Sequence, residues 1–168
     1  MLDVTERLSV FRPADEAAAL TALAEAVWWV TIIDARLVRQ YTDIYDAVLA
    51  DHVAVQRPAI EGTLAGLRFV RNMTSGPVGH VDFIGPPTDP GRHDGVVAAW
   101  TWKRVPELSL ASLPERVRPW EMTRYRAYKA WLADRTVGEV FERAARFLNL
   151  AATRAIPIAE SGTFASRQ

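Results

Sequence analysis

The sequence predicts a mainly α protein, a four-to-five-helix bundle with a small β-hairpin insertion. Three observations carry that prediction. Apolar residues recur at helical spacing through several long stretches, the Gly/Pro-rich chain is gathered in one central block, and the single run with strand alternation lies beside that block. The 168 residues suffice for one hydrophobic core and are few for two. The chain therefore reads as a single domain, 1–168, with its core over about 14–153 and a loose tail over 154–168.

Residues 14–40 predict a long helix. Asp15 and Glu16 suit the positive end of its dipole, and Leu20, Leu23, Val27, Val30, Ile33 and Leu37 form its stripe. Trp28-Trp29 widens the apolar arc, which implies burial on more than one side. A short helix or turn is expected over Asp43–Asp51. Pro58 opens the next helix, 58–73, whose stripe is Ile60, Leu64 and Leu67; Gly62 and Gly66 leave room for a close neighbour.

Gly76, Pro77 and Gly79 end that helix, and the tract "GPPTDPGRHDG" is loop. Strands are expected over Val78–Ile84 and Val96–Val105, joined as a hairpin with a long tip. In "VVAAWTWKRV", Trp100 and Trp102 alternate with Thr101 and Lys103. Residues 106–119 cross irregularly, and 120–134 return to helix with Trp120, Tyr128 and Trp131 near one side. Thr136-Val137-Gly138-Glu139 is a capping box. It starts a last helix to about Thr153, with Pro157 as its stop.

Composition narrows the function classes. Apolar and charged shares of 49% and 24% are ordinary for a folded domain. A formal net charge of zero supplies no long-range field for nucleic acid, although it leaves a local basic patch open. Eighteen arginines against two lysines match GC-rich codon usage better than arginine-mediated recognition. The absence of cysteine excludes disulfides, thiolate metal sites and cysteine nucleophiles. The longest strongly apolar run, Ala26 to Ile33, is far short of the roughly 20 residues of a membrane helix. The N-terminus lacks an apolar signal core, so a cytoplasmic protein with no membrane contact is expected.

The stretch "GLRFVRNMTSGPVGH" raises the question of chemistry. In a helix, Arg71 continues the line Ile60, Leu64, Leu67 and so sits on a buried stripe. Asp34 does the same on the line Leu23, Val27, Val30, Asp34, Leu37. An unpaired buried charge is very costly, so an Asp34–Arg71 ion pair between two packed helices accounts for both.

A helix ending in Arg71-Asn72 and followed closely by His80 resembles the signature of the HEPN family. Members are small helical bundles, often dimeric, and many are metal-independent ribonucleases of toxin–antitoxin and phage-defence systems. The resemblance implies that Arg71 and His80 act on the scissile phosphate and that Asn72 helps to hold the site. It covers residues 18–150 in layout, but its specific part is those three residues. Eight residues, 72–79, separate Arg71 from His80, a longer interval than the family pattern. Such chemistry needs a base for the 2′-hydroxyl, an acid for the leaving oxygen and a cation for the phosphorane charge. Histidine and arginine suit those tasks, and a homodimer would supply the second acid–base group.

Other constellations are weaker. His80-x-Asp82 and His93-Asp94 have ligand chemistry but no metal-site spacing, so no metal and no cofactor is expected. Thr31, Ser75 and Ser109 lie in no nucleophile motif, and phosphate-loop signatures are absent. Trp100 and Trp102 fit the inner face of a hairpin better than a base-stacking platform. Arg124 and Arg126, with Tyr125 and Tyr128, form a basic–aromatic patch that also fits a solvated helix face. Two function classes remain: a HEPN-like ribonuclease or degenerate RNA-binding relative, and a non-enzymatic module that binds a protein partner such as an antitoxin. Six tryptophans in so short a chain favour a homodimer.

Overall fold

A computed structural model describes residues 16–52, 56–75, 82–85, 100–106, 110 and 113–165. The first apolar stripe forms α1, Glu16–Gln40, and the chain turns directly into α2, Thr42–Ala50. The glycine-containing helix, α3, runs Gln56–Ser75. Two short strands follow, β1 at Ile84–Gly85 and β2 at Thr101–Trp102, then α4, Arg118–Trp131, and α5, Val137–Ala165. The described residues thus form five helices and one two-stranded antiparallel sheet, the architecture that the stripes predicted.

The packing centres on α3. Its contacts with α4 run in opposite order along the two chains, Asn72 beside Glu121, Gly66 beside Tyr128 and Gly62 beside Trp131, so the helices are antiparallel. The two glycines make that approach possible. A Cβ at Gly66 would lie 2.6 Å from Leu132 Cδ1 and 3.2 Å from the Tyr128 Cα, and one at Gly62 would overlap the Trp131 indole. Leu64, Leu67, Phe69, Val70 and Met73 then fill the core from α3.

The hairpin is a wall of that core. Ile84 pairs with Trp102 and Gly85 with Thr101. On its far side β2 meets the turn between α4 and α5: Trp102 N–H donates to the Arg135 carbonyl (2.9 Å), and Asp134 and Val137 N–H donate to the Trp102 and Trp100 carbonyls (both 2.8 Å). Asp134 takes a left-handed φ of 64° to make that turn. Trp100 and Trp102 are buried, as the alternation indicated. Trp102 meets Tyr128 edge-on, and Phe69, Phe83, Tyr125 and Tyr128 form one continuous aromatic cluster. Tyr125 and Tyr128 therefore belong to the core, and the basic–aromatic patch around Arg124 and Arg126 is no stacking surface.

The capping box forms with both of its bonds. Glu139 N–H donates to Thr136 Oγ1 at 3.2 Å, and Thr136 N–H donates to Glu139 Oε2 at 3.3 Å. The far end of α5 differs from expectation, because the helix passes Pro157 and continues to Ala165. Proline deletes one intrahelical hydrogen bond, and the bonds on either side can carry a helix across that gap. The expected strand cores at 78–81 and 96–99 lie outside the described residues, as does the hairpin tip. Trp120 is exposed rather than aligned with Tyr128, and no described helix is long and apolar enough to cross a membrane.

The close α3–α4 contact generates a prediction. Gly66→Ala adds a methyl against backbone and should lower stability by about 1–3 kcal/mol, outweighing the helix propensity that it gains. Gly138→Ala, with nothing within 4 Å of the new Cβ, should be neutral or slightly stabilising. Urea unfolding of the two variants against wild type measures both.

Candidate functional site

Two carboxylates are buried on helix faces, and each organises a cation. Asp34 has no exposed surface. Its Oδ1 accepts from the Tyr45 hydroxyl at 2.8 Å and its Oδ2 from Arg68 Nε at 2.7 Å, with Arg68 Nη2 closing a second contact. One side chain thereby joins α1, α2 and α3. Glu121 is 2% exposed on α4, and its Oε1 accepts from Asn72 Nδ2 at 2.7 Å and from Arg124 Nη1. Glu121 Oε2 is buried without a hydrogen-bond partner among the described residues.

The expected Asp34–Arg71 pair is not what forms. Helices α1 and α3 pack antiparallel, so the α3 residue level with Asp34 is Arg68, three residues before Arg71. Arg71 instead lies level with an earlier part of α1, where its guanidinium carbon sits 4.4 Å from the centroid of the Trp28 ring. Trp28 and Trp29 remain 45% and 51% exposed, against the expectation that α1 is buried on more than one side.

Arg68, Arg71 and Arg124 open on one cleft of about 370 Å³ between α1, α3 and α4, with Asn72 at its rim and Thr31, Ala35 and Val38 on the α1 wall. Thr31 spends its hydroxyl on its own helix, donating toward the carbonyls of Val27 and Trp28. Three guanidinium groups face two carboxylates, so the cleft carries one formal positive charge in excess. Carboxylates behind Arg68 and Arg124 fix those forks in place, while among the described residues Arg71 is held only by a ring face.

The structure thus brings Arg71 and Asn72 to one cleft. His80 lies outside the described residues, as do His93 and Asp94. Asp82 is paired with Lys103, and among the described residues no three metal-ligating side chains converge. Sequence reasoning missed Arg68, Glu121 and Tyr45, and it placed Arg124 only in a basic–aromatic patch with Arg126, Tyr125 and Tyr128. Glu121 had a signal: Tyr125 and Tyr128 follow it at i+4 and i+7, which places a carboxylate on an apolar stripe, the same anomaly that exposed Asp34. Arg68 follows Leu64 at i+4, and only the helix register separates it from Arg71 as a partner.

No family model, curated protein or solved structure gives a significant match to this chain. The geometry of the cleft therefore carries the functional reading.

Burial, and then the adjacent Asp34 carboxylate, push the Tyr45 hydroxyl well above the usual tyrosine range. The folded protein keeps this proton at pH values where the unfolded chain releases it, so stability should fall as pH rises past about 10. Tyr45→Phe should flatten that decline and cost about 1 kcal/mol at neutral pH. Asp34→Ala, which strands Arg68 and Tyr45, should cost about 3–5 kcal/mol. Thermal unfolding from pH 7 to 11 reads all three.

Proposed function

We propose that the protein is a HEPN-like RNA-binding domain that grips a phosphate of single-stranded RNA in the arginine cleft. The observation that carries this reading is the convergence of Arg68, Arg71 and Arg124 beside Asn72 at the end of α3. Guanidinium groups bind phosphate through planar, paired hydrogen bonds, and forks already fixed by carboxylates lose little entropy on doing so. Arg71 is the member without a carboxylate partner among the described residues, so it is the one freest to turn to a ligand.

Cleavage rests on His80. In that mechanism His80 takes the proton of a 2′-hydroxyl, the resulting oxygen attacks the phosphorus, and the bond to the leaving 5′-oxygen breaks as that oxygen is protonated. Arg71 stabilises the charge on the phosphorane. The second proton-transfer group comes from a second copy of the chain. Trp28, exposed beside Arg71, and its neighbour Trp29 are the surface for that contact, and a two-fold contact there brings two Arg71 side chains together.

The same exposed tryptophans are what favours the second reading, a module that binds a different protein without catalysis.

Three measurements test the proposal. Wild type should bind single-stranded RNA without added metal, with affinity falling as salt rises. Arg71→Ala should weaken binding roughly tenfold at unchanged stability, since it orphans no carboxylate. His80→Ala should abolish cleavage and leave binding intact, chelator should change neither, and sedimentation should show a dimer that Trp29→Glu disrupts. Wild type that neither binds nor cleaves RNA would end this reading.

A further inference from the structure

A second cleft, distinct from the arginine cleft described above, lies where the start of α3 meets the first turns of α5. It encloses about 340 Å³, at the lower end of the roughly 300–1,000 Å³ typical of small-molecule sites. Its floor is apolar, built from Ala59, Ile60 and Phe147. Its rim carries His52, Arg135 and Arg143.

The charges on that rim are unequally committed. Glu139 is held in the capping box, where its Oε2 accepts from Thr136 N–H, and Glu142 is paired with Arg146. Arg135 and Arg143 have no carboxylate partner among the described residues. Arg143 is steered by one hydrogen bond, from its Nη1 to Thr63 Oγ1 at 3.1 Å, which draws the guanidinium toward α3.

His52 adds a defined ring orientation. Its Nδ1 lies 2.6 Å from the Val48 carbonyl. A carbonyl only accepts, so Nδ1 carries the hydrogen, and Nε2, without a partner among the described residues, offers its lone pair as an acceptor. Phe147 meets the imidazole at 64°, with centroids 5.9 Å apart, which fixes the ring further. Gln56, in the first turn of α3, adds an amide donor at the positive end of that helix.

We infer that this cleft binds a phosphomonoester of nucleotide size, with the phosphate held between Arg135 and Arg143, the organic part lying on Ile60 and Phe147, and His52 Nε2 accepting a hydrogen bond from a hydroxyl or amino group of that part. A phosphomonoester carries roughly −1.5 to −2 charge at neutral pH, which two carboxylate-free guanidinium groups match. The same chemistry is offered by a free nucleotide and by the 5′-phosphate end of an RNA chain. The inference does not depend on the RNA reading of the other cleft.

Isothermal titration calorimetry tests it on the full chain with adenosine monophosphate, adenosine and a 5′-phosphorylated RNA hexamer. Adenosine monophosphate should bind, and adenosine should bind at least tenfold more weakly. Arg135→Ala should reduce the affinity tenfold or more, since this turn residue holds β2 only through its backbone carbonyl. Arg71→Ala should leave it unchanged, which separates this site from the arginine cleft. Binding of the mononucleotide with no gain for the hexamer in an Arg71→Ala background identifies a free nucleotide as the ligand, and a gain there identifies an RNA end. Equal binding of adenosine and its monophosphate, undiminished binding in Arg135→Ala, or no heat at millimolar adenosine monophosphate would overturn the inference.

Discussion

The buried carboxylate of Asp34 sets the arrangement on which the rest of the bundle depends. A carboxylate without exposed surface must find donors inside the protein, because no apolar neighbour can replace its lost water. Tyr45 and Arg68 provide them from two other helices. Apolar stripes alone permit helices to slide or rotate by a residue with modest loss, whereas a charge with fixed donors tolerates only one alignment of α1, α2 and α3. With α3 set, Gly62 and Gly66 admit α4, and the tyrosines of α4 in turn seat the hairpin. Tyr125 donates to the Val105 carbonyl at 2.7 Å, and Tyr128 donates to that of Lys103.

The same constraint shapes the chemistry at the surface. Alignment of α1 with α3 places Arg68 and Arg71 on the rim of one cleft, and alignment of α3 with α4 brings Arg124 to its other side. Glu121 repeats on α4 the role of Asp34 on α1, although one of its oxygens is left without a partner among the described residues. Stabilising contacts and the cationic rim therefore share side chains: Arg68 ties α3 to α1 through Asp34, Arg124 braces Glu121 on its own helix, and both also face the cleft. Arg71 stands outside that double duty. Its contact with an exposed tryptophan leaves it the easiest of the three to recruit.

Much of this was legible in the sequence wherever local pattern decides structure. The stripe of α3 and most of that of α1 marked buried faces, Leu20 being exposed and Ile33 part-buried; the capping box formed both of its bonds, the glycines of α3 mark a close approach, and the Trp100/Trp102 alternation marks an inner face. The burial of Asp34 followed from its place on a stripe. Its partner did not, because stripe analysis fixes which face is buried but not how two helices slide against each other. Arg68 and Arg71 are less than one turn apart, and only the antiparallel register chooses between them. Pro157 misled for a related reason: propensity weighs a residue by its own lost hydrogen bond, while a long helix is held by the bonds on either side. The Trp28-Trp29 pair carries no sequence signal that separates a core from an open surface.

The central claim is that Asp34 aligns the bundle through Arg68 and not through Arg71. A double-mutant cycle on folding stability tests it directly, using Asp34→Ala with Arg68→Ala and, in parallel, Asp34→Ala with Arg71→Ala. Contacting residues couple by about 0.5–3 kcal/mol, whereas independent ones add within about 0.5 kcal/mol. The account predicts coupling above about 1 kcal/mol for Asp34 and Arg68, and additivity for Asp34 and Arg71. Strong coupling of Asp34 to Arg71, with additivity toward Arg68, would contradict it.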